Sequence, residues 1–239
     1  MAAENYDNLN IDDETIRITN LTNVCRMLVT RGYMDYKKYQ STDEVKQTKS
    51  SVIGPAYDNL NNDLFLPLVA ERSDNGIYTI PLDVPYEDQR DGQGTLEFDG
   101  SRVIVKIVPQ VLKDVGNSPI LEDFFKTYTK YHKIIIFDGV SDKVYNTLIK
   151  KKNTEVFDRD ALMIDLMSHE AAPISCNFVT REDISHIKNP KMAKIHENDP
   201  LIKYYNGKRG KILRVLRPSL NNSIEAAYRV IIEPKSYFH

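Results

Sequence analysis

Two groups of residues in this sequence have types suited to catalysis, and each lacks part of what its chemistry requires. The apolar run Ile134 to Phe137 ends in Asp138-Gly139, like the strand that carries the Asp-x-Asp-Gly motif of phosphatase-like sites. That motif needs a nucleophilic aspartate two residues before Asp138, because the first carboxylate forms the covalent intermediate. Ile136 occupies this position. The sequence therefore predicts no such chemistry at this strand end.

A metal-dependent nuclease needs two acidic residues and a lysine that converge on a metal ion. Glu97, Asp99 and Lys106 are the candidates for this role. They lack the compact Glu-x-Lys strand signature of such sites. A nuclease-like enzyme stays open as an alternative function.

The histidines and cysteines show no spacing typical of a metal site. No pair of histidines is four residues apart, and Cys25 and Cys176 form no Cys-x-x-Cys pattern. We expect both cysteines to be small buried side chains. The sequence also lacks a phosphate-binding loop and a Gly-x-Ser-x-Gly turn. We predict that this chain is not an enzyme and holds no metal or cofactor. The histidines are His132, His169, His186, His196 and His239.

Charge is distributed unevenly along the 239 residues, whose formal net charge is −2. Residues 186–239 contain 11 Lys or Arg and 4 Asp or Glu, which gives +7 and leaves −9 for residues 1–185. A basic C-terminal module can bind nucleic acid or an acidic protein surface. A free-standing DNA-binding transcription factor is therefore a second alternative function.

Composition indicates a soluble protein large enough for two modest cores, with 41% hydrophobic and 28% charged residues. No apolar run reaches the roughly 18 to 20 residues that a membrane-spanning helix needs. The N-terminus has neither a basic start nor an apolar secretory segment. We expect no membrane contact and a location in the cytosol, the nucleus or a viral replication site.

Residues 1–166 are predicted to form an α/β domain. A helix should begin at Asp12 or Asp13 and end at Arg31-Gly32-Tyr33, because its apolar residues repeat with helical spacing. Further along, the runs 103–108, 134–137 and 155–157 read as strands, alternating with helical segments. This alternation predicts a small, partly parallel mixed sheet covered by helices. Short apolar pieces at 64–70, 76–80 and 94–98 favour short strands or a loop-rich insertion, and residues 40–62 favour a loop.

Residues 167–239 are predicted to form a separate, small α+β module, so that the whole chain is α+β. Thr180 with Asp183 and Asp199 with Pro200 are typical helix starts. The second of these helices should end at Asn206-Gly207. Two strands, 211–217 and 227–232, follow it.

Residues 191–232 resemble the assembly module of the fifth subunit of the eukaryotic nuclear RNA polymerases, a family that also has archaeal members. The resemblance lies in the order and spacing of five short features over about 40 residues. These are Lys194-Ile195, Asp199-Pro200, Lys208-Arg209-Gly210, Arg217-Pro218-Ser219 and Tyr228-Arg229.

The resemblance extends to earlier parts of the chain. His169-Glu170 and Pro173 resemble the start of the module, although Ser175 stands where the family often has a histidine. Residues 154–157 resemble the end of the family's N-terminal domain, and residues 24–33 resemble its first helix. Because archaeal members consist of little more than the C-terminal module, the N-terminal half favours a eukaryotic-type protein or a homologue from a large DNA virus. The abundance of Asn, Lys, Ile and Tyr slightly favours the viral origin.

The resemblance implies a non-catalytic subunit of a multisubunit DNA-directed RNA polymerase that acts in transcription. Its C-terminal module would bind the largest polymerase subunit. Its N-terminal domain would form part of the jaw near downstream duplex DNA, with weak, non-specific phosphate contacts. Other polymerase subunits would be further partners, and no small-molecule substrate is implied. The location would be the nucleus for a cellular protein, and the virion or the host-cell replication site for a viral one.

Two sets of site residues follow from this resemblance. The interface candidates are His169, Glu170, Pro173, Lys208, Arg209, Arg214, Arg217, Ser219, Tyr228 and Arg229. The residues expected to shape the backbone are Asp199, Pro200, Gly207 and Gly210. We expect the module's core to contain Ile195, Leu201, Ile212, Val215 and Val230.

Overall fold

The computed structural model describes residues 12–41, 60–71, 73, 75–87, 97–109, 118–139, 141–169, 172–186, 192–219 and 223–233. Within these residues the chain forms six α-helices and eight strands in two four-stranded sheets. None of the helices in this part of the chain is long and apolar enough to cross a membrane. Helices and both sheets agree with the predicted α+β fold.

The first sheet has the strand order β1-β2-β3-β4. Strand β1 pairs antiparallel with β2, whereas β2, β3 and β4 are parallel. Helix α4 (Pro119–Thr127) connects β2 to β3, and α5 (Asp142–Leu148) connects β3 to β4. The predicted partly parallel sheet with covering helices is confirmed. Its strands are β1 (Ile77–Pro81), β2 (Arg102–Val108), β3 (His132–Phe137) and β4 (Thr154–Asp158).

Strand β3 is the centre of this sheet, and all six of its residues are buried. Because successive side chains point to opposite faces, the two faces of the sheet contribute to two different cores. One core includes Val105, Ile134 and Phe157 together with α1 (Asp13–Thr30). The other includes Ile135 and is closed by α4 and α5. An uninterrupted apolar run such as 134–137 is typical of a strand covered on both faces.

The ends of α1 follow from its sequence. The Asp12 side chain accepts a hydrogen bond from the Thr15 backbone N–H at 2.8 Å, which caps the helix. The helix ends at Thr30, and Gly32 has a φ of +82°. Glycine adopts this left-handed conformation without the strain that a Cβ would cause. Both predicted ends are confirmed.

Residues 64–70 were expected to form a short strand or part of a loop-rich insertion, and the strand is wrong. They contribute to a 3-10 turn (Asn62–Leu64) and to α3 (Leu66–Val69). The Asn61 side chain caps the turn, and a proline lies in the first turn of α3, where its missing N–H is not needed. Residues 76–80 do contain a strand, β1, whereas 42–59 and 94–96 lie outside the described residues.

Short helical segments complete the first part of the chain. Helix α2 (Tyr36–Tyr39) follows α1 and is capped by the Asp35 side chain. Two 3-10 turns, Asp160–Leu162 and Leu166–Ser168, follow β4 and lead towards the second sheet.

The second sheet has the strand order β5-β7-β8-β6. Strand β7 pairs antiparallel with β5 and β8, and β6 pairs parallel with β8. Helix α6 (Pro200–Tyr204) contributes Ile202 to the core of this sheet. The predicted short helix after Asp199 and the two predicted strands after it are confirmed. The strands are β5 (Ser175–Val179), β6 (Ala193–His196), β7 (Ile212–Ser219) and β8 (Ser223–Ile232).

Of the expected core residues, Ile195, Ile212 and Val215 are buried, whereas Leu201 and Val230 are half-buried. Both cysteines are buried, as expected.

Thr180 and Asp183 exchange the side-chain hydrogen bonds of a helix start, at 2.7 and 3.2 Å. The predicted helix does not follow them. Residues 181–186 form turns instead, one of them closed by a hydrogen bond from the Ser185 N–H to the Glu182 carbonyl three residues earlier.

Candidate functional site

The interface candidates on the second sheet lie on two opposite faces. Arg214 and Tyr228 are cross-strand neighbours in β7 and β8 on one face. Arg217 points to the other face, because side chains alternate along a strand and Arg217 is three positions beyond Arg214. The sequence resemblance grouped these residues together, but the structure separates them into two surfaces.

The face that carries Arg214 and Tyr228 combines charge with apolar side chains. The flanking cross-strand pairs Ile212 with Val230 and Leu216 with Ala226 lie on the same face. The Arg214 Nε is buried and has no hydrogen-bond partner among the described residues. Arg214 as a whole is half-buried, so a partner can contact the exposed part of its side chain and not this atom. We call Arg214, Tyr228 and the two flanking pairs the Arg214 face.

On the opposite face, Arg217 and Arg229 lie close to Cys176. Burial raises the pKa of the Cys176 thiol to about 12, and the charges of the two arginines oppose this rise. The thiol is therefore protonated at neutral pH, and it is not a nucleophile. Arg217 lies opposite Glu225 across the hairpin, which places a carboxylate near its charge.

The remaining candidates are dispersed. Lys208 and Arg209 are exposed, and Arg209 pairs with Glu233 at 2.5 Å. His169 is exposed and Pro173 is buried, whereas Glu170 lies outside the described residues. Ser219 is the last residue of β7.

The four residues expected to shape the backbone lie around α6 and the turn after it. The Asp199 side chain accepts from the Leu201 N–H at 2.9 Å, and Pro200 is the first residue of α6. Gly210 has a φ of +83°. At Gly207, an added Cβ would lie 2.8 Å from Ile231 Cδ1, so this position depends on the missing side chain.

A buried polar cluster joins the first sheet to the C-terminal part of the chain. Its centre is the Glu155 carboxylate of β4, which receives hydrogen bonds from Arg31 at 2.8 and 2.9 Å. His132 Nε2 lies 2.8 Å and Asn206 Nδ2 lies 3.2 Å from Glu155 Oε1. The Tyr86 hydroxyl accepts from Arg31 at 2.8 Å and lies 3.4 Å from the same carboxylate oxygen. We call these five residues the Glu155 cluster.

Arg31 also contacts the end of α6 directly. Its guanidinium donates to the backbone carbonyls of Lys203 at 3.0 Å and Tyr204 at 2.6 Å. The last carbonyls of a helix have no partner within the helix, so an arginine satisfies them well. One side chain at the end of α1 therefore contacts both β4 and α6.

Burial and pairing set the charges of the Glu155 cluster. Burial alone would raise the pKa of Glu155, but the Arg31 charge and the His132 hydrogen bond outweigh it and hold the pKa below its usual range. Burial lowers the pKa of His132, partly offset by its bond to Glu155. At neutral pH the carboxylate is ionised and the imidazole is neutral, so Nε2 donates to Glu155. His132 Nδ1 then has no partner among the described residues.

The Glu155–His132 pair resembles an acid–base dyad, but it is not placed for catalysis. The side chains of Arg31, Glu155 and His132 are 3%, 6% and 0% exposed. Tyr86 stacks on the imidazole with ring centroids 3.9 Å apart. These side chains are almost wholly buried and bonded to one another, so the cluster holds α1, β4 and the end of α6 in position.

Sequence reasoning did not find this cluster. Arg31 was assigned only to the end of a helix, and Glu155 only to a strand. The available signal was the Glu155 carboxylate directly before the apolar Val156 and Phe157, because a carboxylate buried among apolar residues must be paired.

The nuclease candidates do not converge. Lys106 and Arg102 are four residues apart on β2, which separates their backbones by on the order of 13 Å. Asp99 precedes the strand, and its carboxylate lies 3.8 Å from Arg102 Nε. Lys106 donates to the Asn75 carbonyl instead. Among the described residues, no group of three or more His, Cys, Asp or Glu side chains is placed to hold a metal ion.

Most of the second sheet lies in a region that matches a known protein family. Residues 181–231 match the family model of the RNA polymerase Rpb5 C-terminal domain. This range includes β6, β7, β8 and α6, and therefore the Arg214 face and the contacts of Arg31 with α6.

Three relatives show how far the similarity extends. The DNA-directed RNA polymerase subunit 5 of Acanthamoeba polyphaga mimivirus is 26% identical over 153 residues, which cover 61% of this chain and 74% of that protein. The Dictyostelium discoideum subunit rpabc1 of RNA polymerases I, II and III is 25% identical over 35% of this chain and 45% of that protein. The subunit Rpo5 of Methanocaldococcus jannaschii is 38% identical over 20% of this chain and 62% of that protein.

The viral relative extends the similarity beyond the C-terminal domain, since its 153 matched residues are three times the 48 matched in the archaeal protein. Residues 181–231 thus match the Rpb5 C-terminal domain, and the chain is similar to fifth subunits of DNA-directed RNA polymerases from a virus, a eukaryote and an archaeon.

Proposed function

We propose that this chain is a non-catalytic subunit of a multisubunit DNA-directed RNA polymerase and acts in transcription. The observation that carries the proposal is the match of residues 181–231 to the Rpb5 C-terminal domain. The relatives named above are subunits of such polymerases. The Glu155 cluster, which connects α1, β4 and α6, supports a role in positioning.

The C-terminal module, residues 167–239, would bind the largest polymerase subunit through the Arg214 face. Arginine and tyrosine beside apolar side chains are typical of the residues that dominate binding energy at protein interfaces. The half-buried Arg214 supports this choice over the exposed Arg217, because a charge pair is stronger where it is less screened by water.

The N-terminal domain, residues 1–166, would lie near downstream duplex DNA and contact its phosphates weakly and without sequence preference. A jaw position would require a fixed orientation relative to the C-terminal module. The Glu155 cluster supports this requirement, because it connects α1, β4 and α6.

The place of action would be that of the host polymerase. The relatives include a viral and a eukaryotic subunit, which correspond to a viral replication site and to the nucleus. We favour a viral protein, present at the replication site of the host cell and in the virion.

Affinity purification tests the proposed partners. A chain tagged at its N-terminus should recover the two large polymerase subunits from its native setting, as identified by mass spectrometry. Arg214→Glu should abolish this recovery, because it places a carboxylate where the partner's acceptor would bind. Arg217→Glu is the matched control on the opposite face and should retain it.

Circular dichroism would first establish that both variants are folded. Recovery of the chain alone, with metal-dependent nuclease activity or tight DNA binding, would contradict the proposal and favour one of the alternative functions. Loss with Arg217→Glu but not with Arg214→Glu would place the interface on the other face.

A further inference from the structure

Strand β4 is an edge strand of the first sheet, and one side of its backbone has no neighbouring strand. Among the described residues it pairs only with β3. The Asn153 carbonyl accepts from the Lys133 N–H at 2.8 Å, and the Arg159 N–H also donates to β3. Because the backbone groups of successive residues in a strand point in opposite directions, Thr154 and Val156 direct theirs away from β3.

The outward-facing backbone groups of β4 are buried without a partner. Thr154 and Val156 are each 4% exposed. Their N–H and C=O groups have no hydrogen-bond partner within the described part of the chain. Nearly all buried backbone groups are satisfied by protein or by water. These four groups therefore indicate a place where a further hydrogen-bonding molecule binds.

A cleft lies along this edge of the sheet. It borders the four consecutive residues 154–157 of β4 and, from the C-terminal part of the chain, Glu197, Lys203 and Lys208 among others. Its volume is about 70 Å³. One buried water needs roughly 10 to 15 Å³, so the cleft has room for a ligand larger than a single water.

The charged side chains at the cleft favour an acidic ligand. Lys203 Nζ lies 4.4 Å from the centroid of the Tyr145 ring, and Lys208 is exposed. Neither lysine has an ion pair with a described residue. Of the two carboxylates that line the cleft, Glu155 is already paired within the Glu155 cluster, so Glu197 alone faces two lysines. The remaining positive charge attracts carboxylates.

We propose that an extended acidic segment of a partner protein binds in this cleft as a fifth strand beside β4. A peptide backbone supplies the alternating donors and acceptors that Thr154 and Val156 lack, as in other cases of strand addition to a sheet edge. Carboxylates of the segment would pair with Lys203 and Lys208. Three further lysines, at positions 150–152, extend the positive charge beyond the amino end of β4.

The burial of β4 restricts the shape of this segment. Residues 154–157 are 4 to 7% exposed, so only a narrow backbone with small side chains fits beside them. The flexible stems of the two lysines can move to admit it. The site belongs to the first sheet and the Arg214 face to the second, so the two sites can bind different partners.

Hydrogen–deuterium exchange of single amides, followed by NMR on the full chain, tests the proposal. The probe is a synthetic hexapeptide in which alanine alternates with aspartate. It should slow exchange of the Val156 amide by about tenfold, because this N–H gains a carbonyl partner. The Phe157 amide, which faces β3, is the internal control and should not change.

Two matched comparisons separate charge from strand pairing. Lys208→Glu should raise the Kd of the peptide by roughly fivefold through repulsion of its carboxylates. Lys211→Glu changes an exposed lysine outside the cleft and should leave the Kd unchanged. A peptide of the same charge with proline in place of alanine lacks the donors for strand pairing and should not slow exchange at Val156.

Equal exchange at Val156 with and without the aspartate peptide would overturn the inference. Equal slowing by the proline peptide would also overturn it, because binding would then depend on charge alone. If the amide is protected in the chain alone and exposed in a chain that ends at Glu233, the occupant is residues 234–239 and not a partner. These measurements use the purified chain, so failure to recover polymerase subunits would contradict the proposed function without affecting them.

Discussion

Glu155 is an ionised side chain in the protein interior, and its neighbours come from distant parts of the sequence. Arg31 lies 124 residues before it, and Asn206 lies 51 residues after it. A buried charge is tolerated only when its partners are in place. The stability of the whole fold should therefore depend strongly on this one carboxylate.

Glu155→Gln should lower the free energy of unfolding by about 3 kcal/mol, because it leaves the Arg31 guanidinium buried without a counter-charge. Urea denaturation followed by circular dichroism measures the change. Glu233→Gln, which removes the exposed partner of Arg209, is the control and should have little effect. An equal loss of unfolding free energy in both variants would contradict the prediction that the buried pair contributes more than the exposed pair.

The free energy of unfolding should also fall as pH is lowered. His132 and Glu155 both have a lower pKa in the folded protein than their ordinary values of 6.5 and 4.5. The unfolded chain then takes up protons first, so the stability from each group is complete above its ordinary pKa and is lost as pH falls towards its folded pKa.

Urea denaturation between pH 4 and pH 8 should show this loss in two stages. The contribution of His132 to the free energy of unfolding begins to fall near pH 6.5, and that of Glu155 near pH 4.5. His132→Gln should remove the first stage and leave the second. A wild-type stability that is constant from pH 8 to pH 5 would contradict the assigned neutral state of His132.

At the scale of elements, the turn after α6 depends on close packing. Gly207 lies where a Cβ would be 2.8 Å from Ile231 Cδ1 and 2.9 Å from Ile202 Cγ2. Around Gly210, by contrast, an added Cβ meets nothing within 4 Å, and the glycine is favoured only by its positive φ. Two nearby glycines thus serve different physical needs.

Gly207→Ala should destabilise the protein by about 1 to 3 kcal/mol through overpacking. Adding Ile231→Val removes the closest methyl group and should recover part of this loss. The same second change should not rescue Gly210→Ala, whose cost comes from the backbone. Thermal unfolding of the four variants and the wild type would show the difference, and equal rescue of both glycine variants would argue against it.

The elements themselves were largely predictable from the sequence, because periodicity and capping are local properties. The run 134–137 identified the central strand, and Asp12 and Asp199 identified helix starts that the structure contains. Residues 64–70 were misassigned, because their apolar pattern is too short to distinguish a strand from two helical turns. The two faces of β7 follow from strand alternation once the strand is known.

The Glu155 cluster was not predictable, since it depends on which distant residues the topology brings together. Nothing adjacent to Arg31 in sequence indicates Glu155 or the carbonyls of α6 as its partners. The position of Lys130, Lys150 and Lys151 at the amino ends of β3 and β4 was hidden for a related reason, because a net charge summed over 185 residues does not show which edge of a sheet carries the lysines.

At the scale of the whole molecule, Arg31 couples the two sheets. It connects α1 to β4 through Glu155 and to α6 through two backbone carbonyls. Tyr204 also packs in the core of the first sheet, and its hydroxyl donates to Thr30 at 3.1 Å. We expect the chain to unfold as one cooperative unit.

Arg31→Lys should divide this single transition into two, because a lysine keeps the charge but cannot reach both the carboxylate and the two carbonyls. Differential scanning calorimetry measures the number of transitions. Arg17→Lys is the matched control in the same helix. Arg17 pairs with Glu14 and donates to the carbonyls of Val69 and Ala70, but contacts no residue of the second sheet, so this variant should keep one transition. A single transition in Arg31→Lys would show that other contacts couple the sheets.

The position of the Arg31 contacts also has a consequence for synthesis on the ribosome. Residues 31 and 155 emerge well before residues 203–206, so the N-terminal part waits for the last quarter of the chain before its buried arginine has all its partners. A prematurely terminated chain would leave these donors unsatisfied and should be recognised by proteases. Only full-length chains would then be available for assembly, so the same contacts that set the orientation of the sheets would also act as a check on completeness.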